Sequence, residues 1–563
     1  MTNRQFGSVV FGSLAGYRRS YFRPDVVAGL TVWAVMVPEA LAYAAIAGVP
    51  AVVGLYAAIP ALILYAAAGS SRHLVVGPMS ATAALSAAMV APLAGGDPQR
   101  YIALTTALAL VVGVVGILAG ACRFGFIASF ISEPVLKGFI VGLALTIIVG
   151  QVPKLLGISK GSGDFFEQSW SVVENLGDTD WRTALVGGAS LALVLILKRW
   201  LPIVPGSLVV VLLGILAVWA LDLDNRGVEI VGHIDSGLPA VGLPAGMPVG
   251  EYLDLVGPAA GVLLIGFAEG LGAAKTYAAK AGYTINANRE LIGLGAANVG
   301  SGFFSGMVVN GSLSKTAVNG SAGAKTQVSG LVVAALTVVT LLFLTGLFQE
   351  LPEATLAAVV IAAVIELVDI NALRRYYRVW TSRLGTIYGP AARADFLAAL
   401  AAMIGVLVFD TLPGLVIGIA VSMLLLLYRV SRPHVVTLAK RGSQWIDATE
   451  HPELPTIEGV RVVRVEAGLF FANSDHVRDQ VTALATKGIH TIVLDAETSP
   501  FIDVTAVSML TDLHRTLQRS GVDLRIAREI GQFRDVIHAD APDSTLGIFP
   551  TVTDALAGPE PKS

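Results

Sequence analysis

Long apolar runs separated by short polar stretches occupy most of the first 430 residues. They lie near residues 26–47, 51–69, 79–94, 101–121, 125–150, 183–199, 203–221, 254–274, 289–309, 312–321, 327–347, 354–369, 394–410 and 412–430. A helix needs about 20 residues to cross a membrane. The runs at 79–94 and 312–321 are clearly shorter, so we expect half-helices or segments buried in protein there. The pattern predicts a polytopic α-helical membrane protein with fourteen segments.

The second short run follows a break in the apolar pattern. Residues 302–319 read GFFSGMVVNGSLSKTAVN, in which the apolar stretch stops at residues 310–312 and a helical pattern begins. A helix that begins inside a bilayer directs its unpaired N–H groups and the positive end of its dipole at whatever lies in front of it. Lys315 adds a positive charge one turn into this helix, and Ser314 adds a hydroxyl donor. The stretch therefore predicts an anion site.

The first short run has the same character. Residues 77–82 read GPMSAT and precede another truncated segment. An acidic residue lies in a long apolar run before each break, Glu39 before the first and Glu269 before the second. The separations agree, at 230 positions from Glu39 to Glu269 and 232 from Ser80 to Ser312. These features indicate an internal duplication, and paired interrupted segments in two halves point to the substrate site of a transporter.

Composition supports a membrane protein. The chain has 563 residues, of which 54% are hydrophobic and 14% charged, and a wholly soluble protein does not fit these values. The net charge of −3 gives no indication of a nucleic-acid partner. The single cysteine, Cys122, has no partner for an intrachain disulfide, and we expect it to pack between helices. No metal-ligand cluster, phosphate-binding loop or nucleophile triad is evident, so we expect no metal, no cofactor and no enzyme activity.

Positive charge predicts the orientation. It is concentrated at Arg18, Arg19, Arg23, Arg123, Lys198, Arg199, Arg429 and Arg432 and in residues 374–393. Cytoplasmic loops carry an excess of lysine and arginine, so we place both termini in the cytoplasm and the loops at 95–100 and 159–181 outside. Residues 1–23 lack the apolar core of a cleavable signal peptide, so we expect the N-terminal segment 1–22 to remain inside.

A soluble domain follows the apolar segments. We predict a linker over 431–458, a domain over 459–556 and a tail over 557–563. Within the domain we predict a strand pair over 460–472 with a turn at Ala467-Gly468, then a helix over 474–486, a parallel strand over 490–497, a helix over 504–520 and a strand over 522–528. The alternation of strands and helices indicates a small α/β fold.

Three segments closely resemble signature segments of the sulfate permease family, which includes the animal anion exchangers related to prestin and pendrin. Residues 38–78 read PEALAYAAIAGVPAVVGLYAAIPALILYAAAGSSRHLVVGP, residues 286–304 read NANRELIGLGAANVGSGFF and residues 312–330 read SLSKTAVNGSAGAKTQVSG. The C-terminal domain resembles the STAS domain of this family, a relative of anti-sigma factor antagonists. The resemblance to this family covers nearly the whole chain.

The resemblance implies a uracil-permease-like fold of two inverted seven-segment repeats. Its transmembrane domain would span 23–430, with a core domain from 23–123 and 254–350 and a gate domain from 124–253 and 351–430. It also implies that the core moves against the gate like an elevator, that the anion sits between the starts of segments 3 and 10, and that the protein is a homodimer.

Site residues carry over from the family by position. The anion would be lined by Glu39, Tyr43, Met79, Ser80, Leu313, Ser314 and Lys315. Many relatives have arginine where Lys315 stands. An arginine contacts an oxyanion through two N–H groups in one plane, whereas the lysine here offers a single point charge. Many relatives also have glutamine where Glu39 stands, so a neutral side chain becomes ionisable.

Two carboxylates are candidates for ion coupling. Glu39 inside a span must be protonated or paired, so we hypothesise that it carries the proton of a proton symporter. The alternative is an ion pair with Lys315 that only balances charge. Glu269 stands where sodium-coupled bicarbonate transporters of the family have aspartate, but Ala273 replaces the hydroxyl residue one turn later. Loss of this oxygen weakens a sodium site, which favours a proton or structural role for Glu269.

Thr505 is a candidate regulatory phosphosite. Asp503-Val504-Thr505 matches the place where anti-sigma antagonists carry a phosphorylated serine at the start of a helix. A phosphate at this position would change the local charge strongly. The alternative is that Asp503 or Thr505 only caps the helix.

We therefore expect a secondary active transporter of small anions of the sulfate, bicarbonate or dicarboxylate class, in the inner membrane of a bacterium and in contact with its lipids. H⁺ is the favoured coupling ion and Na⁺ the alternative. Other readings are a sodium-coupled bicarbonate symporter, an uncoupled anion exchanger or channel, and a signalling protein that acts through a cytoplasmic STAS domain. A nucleobase transporter shares the implied fold, but a neutral base would not explain Lys315.

Overall fold

The structure is a computed structural model that describes most of the chain. The described residues are 10–14, 16–130, 132–161, 163–201, 204–234, 236–244, 246–365, 368–381, 394–409, 411–540 and 546–558. The chain divides into two compact units. One comprises Met1–Thr386 and Asp395–Ser422, and the other Ile387–Ala394 and Met423–Ser563.

The first unit is almost entirely helical. Its helices, with the last one continuing into the second unit, are α1 (Phe22–Ile46), α2 (Val52–Ala68), α3 (Ser80–Ala94), α4 (Pro98–Ala121), α5 (Glu133–Leu156), α6 (Phe165–Glu174), α7 (Trp181–Trp200), α8 (Gly206–Leu221), α9 (Val249–Asp254), α10 (Val256–Ala281), α11 (Ala287–Phe303), α12 (Leu313–Ser321), α13 (Val328–Val339), α14 (Thr345–Phe348), α15 (Glu353–Ile365), α16 (Ile370–Thr381), α17 (Ala394–Phe409) and α18 (Thr411–Ser431). Every predicted apolar run contains a helix. Among the described residues, eight helical stretches are long and apolar enough to cross a membrane.

The same order of elements occurs twice. In the first half α1 and α2 are followed by strand β1 (Val75–Gly77), the short α3 and α4; in the second, α10 and α11 are followed by strand β2 (Asn310–Ser312), the shorter α12 and α13. The strands pair antiparallel, with Val76 opposite Gly311, and all their residues are buried. The repeated order fits the internal duplication, and the pairing joins the two halves at the point where each is interrupted.

Glu290, in α11, fixes the connection that leads into β1. Its carboxylate is fully buried and accepts the Tyr65 hydroxyl at 2.6 Å, the N–H and hydroxyl of Ser70 at 2.8 and 2.6 Å and the N–H of Ser71 at 3.0 Å. Hydrogen bonds to a charged group contribute about 1.5–3 kcal/mol each. Glu290 thus ties α11 to α2 and to the loop before β1.

Asp25, in the first turn of α1, fixes the loop before α13 in a similar way. It is fully buried and accepts the N–H of Lys325 at 2.6 Å and the N–H and hydroxyl of Thr326 at 3.1 and 2.6 Å. These bonds satisfy the backbone just before α13. The chain on the far side of α12 is therefore held to α1.

Two expectations about the first unit are wrong. The loop predicted over 159–181 contains α6, a surface helix whose first turn is closed by a capping box between Asp164 and Glu167. The apolar residues of α6 are few and alternate with acidic and polar ones, so the sequence pattern did not predict this helix. Cys122 lies exposed at the end of α4 instead of packing between helices.

The second unit contains a six-stranded sheet with the order β4-β3-β5-β6-β7-β8. The strands are β3 (Val435–Arg441), β4 (Gln444–Asp447), β5 (Val460–Val465), β6 (Thr491–Asp495), β7 (Asp523–Ala527) and β8 (Gly547–Phe549), and the helices are α19 (Ser474–Leu484), α20 (Val504–Arg519), α21 (Gly531–Asp540) and α22 (Val552–Ala557). Strands β5 to β8 are parallel. The predicted α/β alternation is confirmed for β5, α19, β6, α20 and β7.

The start of this sheet differs from the sequence prediction. The strand pair predicted over 460–472 is wrong, because only Val460–Val465 is a strand. Its antiparallel partner is β3, which lies inside the predicted linker 431–458. The chain does not turn back at Ala467-Gly468, since Leu469 bonds instead to the segment around residue 502. The apolar run of β3 is short and ends in the charged residues Lys440 and Arg441, so the hydrophobic pattern did not predict a strand there.

A glycine in α2 gives a test of the helix packing. A Cβ at Gly54 would overlap the carbonyl oxygen of Ala40 in α1, so no side chain fits without moving the helices. We expect Gly54→Ala to lower the free energy of unfolding by about 1–3 kcal/mol, as overpacking does. Thermal unfolding of the purified protein in detergent measures the effect.

Gly188 is the matched control, because a Cβ at this helical position in α7 meets nothing within 4 Å. Gly188→Ala should be neutral or stabilising, since alanine is the better helix former. Equal melting temperatures for the two variants would contradict the tight contact of α1 with α2.

Candidate functional site

The two short helices begin beside each other because the strands that precede them are paired. Ser312, the last residue of β2, caps α12, since its Oγ accepts the N–H of Lys315 at 3.3 Å. Thr316 joins the halves: its hydroxyl donates to the Ser312 carbonyl oxygen at 2.5 Å and accepts the N–H of Val75 at 3.0 Å. The start of α12 is thereby fixed to β1.

The start of α3 is not capped by its own N-cap side chain. Met79, at this position, has an extended backbone and makes no capping hydrogen bond with its side chain. The first N–H groups of a helix lack intrahelical partners and coincide with the positive end of its dipole. Met79 and Ser80 are each only 5% exposed, so this end of α3 lies in the protein interior.

Lys315 reaches from α12 to the break in the other half. Its side chain is 1% exposed, and its Nζ donates to the carbonyl oxygen of Pro78 at 2.9 Å. The same nitrogen lies 3.1 Å from Oε2 of Glu39 and 4.9 Å from the centre of the Tyr43 ring. One buried ammonium group thus contacts a backbone carbonyl, a carboxylate and an aromatic face.

Glu39 is held by charge more than by directed bonds. It lies in α1 just after Pro38 and is 5% exposed. Its Oε2 is within ion-pair distance of Lys315, but no partner in the described part of the chain makes a hydrogen bond to it with good geometry. Removing one member of a buried pair costs more than the pair itself contributes, because the other charge is left unpaired.

Glu269 brings a second carboxylate to the same region. It lies in α10, which packs against β2 where a Cβ at Gly266 or Gly270 would come within 3.0 and 3.2 Å of the Asn310 side chain. Its Oε2 is buried without a hydrogen-bond partner among the described residues. A second buried carboxylate oxygen therefore lies on a helix that packs against β2, without an ion pair among the described residues.

The remaining predicted site residues lie at the start of α12 but face outward. Leu313 is 50% exposed, and Ser314 is also exposed, with its Oγ 3.1 Å from Oγ of Ser312. The structure therefore brings Lys315, Glu39 and Tyr43 together, whereas Leu313 and Ser314 line the open side of the helix start. Residues that could form a three-ligand metal site are not found together in the described ranges.

The carbonyl oxygen of Pro78 contacts Lys315, and sequence reasoning missed this contact. A backbone acceptor has no signature of its own in the sequence. The signal that could have found it is the Gly77-Pro78 break, because proline cannot continue the ladder of β1 and leaves the chain irregular there.

A cavity of about 510 Å³ lies behind α3. It is lined by Ala45 and Ile46 at the end of α1, by Ala84, Ala88 and Ala91 of α3, and by Thr146, Gln151 and Lys154 of α5. Ala45 and Ile46 are within one helical turn of Tyr43. The cavity therefore borders both the half-helix and the helix that carries Glu39.

In the C-terminal domain, Asp503 caps α20 by accepting the N–H of Ala506 at 2.9 Å. This confirms one of the two capping residues expected there. Thr505 is exposed on the first turn of the helix. Its role as a phosphosite stays a prediction.

Comparisons with known proteins agree on one family. Residues 22–388 match the Sulfate permease family and residues 451–555 match the STAS domain. A probable sulfate transporter of Mycobacterium tuberculosis is 36% identical, and the match covers 96% of each chain. High affinity sulfate transporter 2 of Stylosanthes hamata is 30% identical over 97% of this chain and 85% of its own.

The fold is also that of a solved structure. The murine Slc26a9 anion transporter in its inward-facing state superposes with a TM-score of 0.86 at 23% identity, and covers 99% of this chain and 96% of its own.

The charge pair gives a stability test. We expect Lys315→Met to lower the free energy of unfolding by about 3–5 kcal/mol, because it leaves Glu39 buried without a counter-charge. The double variant Glu39→Gln with Lys315→Met removes both charges and should recover a large part of the loss. Melting temperatures of wild type, both single variants and the double variant complete the cycle.

If the double variant loses the sum of the two single losses, the two side chains do not interact and the ion pair is wrong.

Proposed function

The chain belongs to the sulfate permease family of multi-pass anion transporters, and from this premise we propose that it is a proton-coupled secondary transporter of a small oxyanion, foremost sulfate. The observation that carries the proposal is the buried Lys315, which lies at the start of one half-helix, contacts the break before the other, and is paired with a single carboxylate.

The anion would bind between the starts of α3 and α12. Both helix starts would direct N–H groups and positive dipole ends toward this region, and the pairing of β1 with β2, which precede the two helices, supports this arrangement. Lys315 supplies the full charge that a dipole end alone lacks. Ser80 and Ser314 would contribute hydroxyl donors at the two starts, and Tyr43 would form one wall.

Charge balance explains how a proton would be coupled. While Glu39 is ionised, Lys315 is neutralised and the region has little net attraction for an anion. A proton on Glu39 releases the lysine charge, which an oxyanion can then neutralise. Because uncompensated charge in a low-dielectric interior is costly, proton and anion would bind together and leave together.

Support for sulfate comes from the relatives. The proteins that match this chain over nearly its whole length at 36% and 30% identity are described as sulfate transporters. A tetrahedral oxyanion offers acceptor oxygens in several directions, which suits one ammonium group and two sets of helix N–H donors. Bicarbonate and dicarboxylates are the other substrates to test.

We further propose that transport is elevator-like. The core domain, from 23–123 and 254–350, would contain both strands and both half-helices and would move against a gate domain from 124–253 and 351–430. The cavity bounded by α3 and α5 supports this proposal, because it would lie on the border between these domains and would give the core room to move. Cytoplasmic termini, a cytoplasmic STAS domain and a homodimer complete the proposal.

Sodium coupling is the second candidate. It is favoured by Glu269, whose buried oxygen lacks a hydrogen-bond partner among the described residues. It is disfavoured by Ala273, which offers no oxygen one turn further along α10, because a hard cation prefers several oxygen ligands.

Uptake into proteoliposomes tests the proton carrier. With labelled sulfate, bicarbonate and fumarate offered separately, wild type should accumulate sulfate when the outside is acidic. Glu39→Gln should lose this accumulation but retain exchange of labelled for unlabelled sulfate, because Lys315 is then permanently unpaired. Glu133→Gln is a matched control, since this carboxylate on α5 is largely exposed.

Accumulation that persists in Glu39→Gln would contradict the proton-carrier role. Flux that is equal with and without a gradient, and unchanged in the variant, would indicate exchange or passive conduction.

Sodium replacement separates the two coupling ions. We expect external choline in place of sodium to leave uptake unchanged, and Glu269→Gln to retain proton-driven accumulation. A sodium-stimulated uptake that Glu269→Gln abolishes would instead support the sodium symporter. The measurement is the initial rate of sulfate uptake at fixed pH, with Glu133→Gln again as control.

A further inference from the structure

The C-terminal domain exposes a small apolar edge, defined by Phe471, Phe501 and Val504. Their exposed fractions are 71%, 42% and 58%. Phe470 links the two aromatic side chains, with ring centres 5.5 Å from Phe471 and 6.1 Å from Phe501. Single exposed apolar side chains are common on protein surfaces, but exposed phenylalanines that cluster in this way indicate a binding surface.

The apolar edge is rigidly presented. Leu469 donates its N–H to the carbonyl oxygen of Phe501 at 3.0 Å, and Asp503 donates its N–H to that of Leu469 at 3.1 Å. Asp503 also accepts the N–H of Phe471 at 2.9 Å with the side chain that caps α20. Three backbone N–H groups thus fix the two loops against each other, so the phenylalanines are not at the tips of loose loops.

The apolar edge lies next to the end of a spanning helix. The side chain of Asn473 donates to the carbonyl oxygen of Gly468 at 2.9 Å and to that of Val430, in the last turn of α18, at 3.4 Å. Residues 413–431 form a span by length and hydropathy, and the segment from Met423 onward belongs to the same compact unit as the domain. The end of a span lies at the membrane–water boundary.

The end of α18 has the chemistry of that boundary. Arg429 lies in its last turn, and the guanidinium of Arg432 lies 4.9 Å from the centre of the Tyr428 ring. Arginine and tyrosine side chains are typical of membrane interfaces, where they meet headgroups. Phe471 is two residues from the contact with Val430, so it must be close to the same level.

We propose that the apolar edge inserts into the headgroup–acyl boundary of the bilayer and holds the C-terminal domain against the membrane. The partner is lipid, because the edge is small, is apolar, and continues directly from the basic and aromatic end of a span. Aromatic side chains that reach the headgroup–acyl boundary bury their apolar area among the first carbons of the lipid acyl chains. This anchor is separate from the transport site and does not depend on the substrate.

A labelled cysteine tests the insertion. The only native cysteine, Cys122, is exposed and is first replaced in Cys122→Ser. Phe471→Cys and Val504→Cys are then labelled with a fluorophore in the full-length protein, reconstituted with one chain per nanodisc. Lys487→Cys is the control, because this exposed residue precedes β6 and so lies at the opposite edge of the sheet.

Nitroxide groups on lipid chains near the headgroup should quench the labels at 471 and 504 several-fold more than the label at 487. Quenching at 471 and 504 no greater than at 487 would overturn the proposal. Protection of these labels that appears only in discs with two chains, without quenching by lipid, would also overturn it and would assign the edge to a second copy of the chain.

Discussion

A full positive charge in the interior of a hydrophobic protein has to be compensated, and the arrangement around Lys315 follows from this constraint. The lysine belongs to the second half of the repeat and meets two groups of the first half, Glu39 from α1 and the Pro78 carbonyl from the chain before α3. The strands β1 and β2 bring these groups within reach. Without the charge, the two chain breaks would only be weak points in a helical bundle.

The strand pair is supported by groups that never contact Lys315. Glu290 holds the loop before β1, and Asp25 holds the loop after α12, each through buried bonds to backbone N–H groups. Backbone that leaves regular structure inside a membrane protein must find such partners, because lipid offers none. Buried carboxylates on neighbouring helices therefore supply hydrogen-bond partners for the irregular segments.

Much of the fold could be predicted from the sequence. Apolar run length identified the spanning helices, and the short runs at 79–94 and 312–321 identified the half-helices. Strand β3 was missed because its apolar run is short and ends in the charged residues Lys440 and Arg441, although it forms a hairpin with β4 directly after it. At the site, a buried carboxylate and a buried lysine could be expected to pair, and Glu39 and Lys315 do so. The third group around the lysine is the carbonyl oxygen of Pro78. Its position depends only on the path of the backbone at Pro78, which the sequence does not reveal.

Antiparallel pairing of β1 with β2 also restricts how the site can change. Val76 opposes Gly311 in a register of only three residue pairs, so an insertion or deletion in either strand would shift every side chain to the other face. The charge on α12 would then point away from the other half-helix. Only substitutions that keep the chain length constant therefore preserve the geometry of this site.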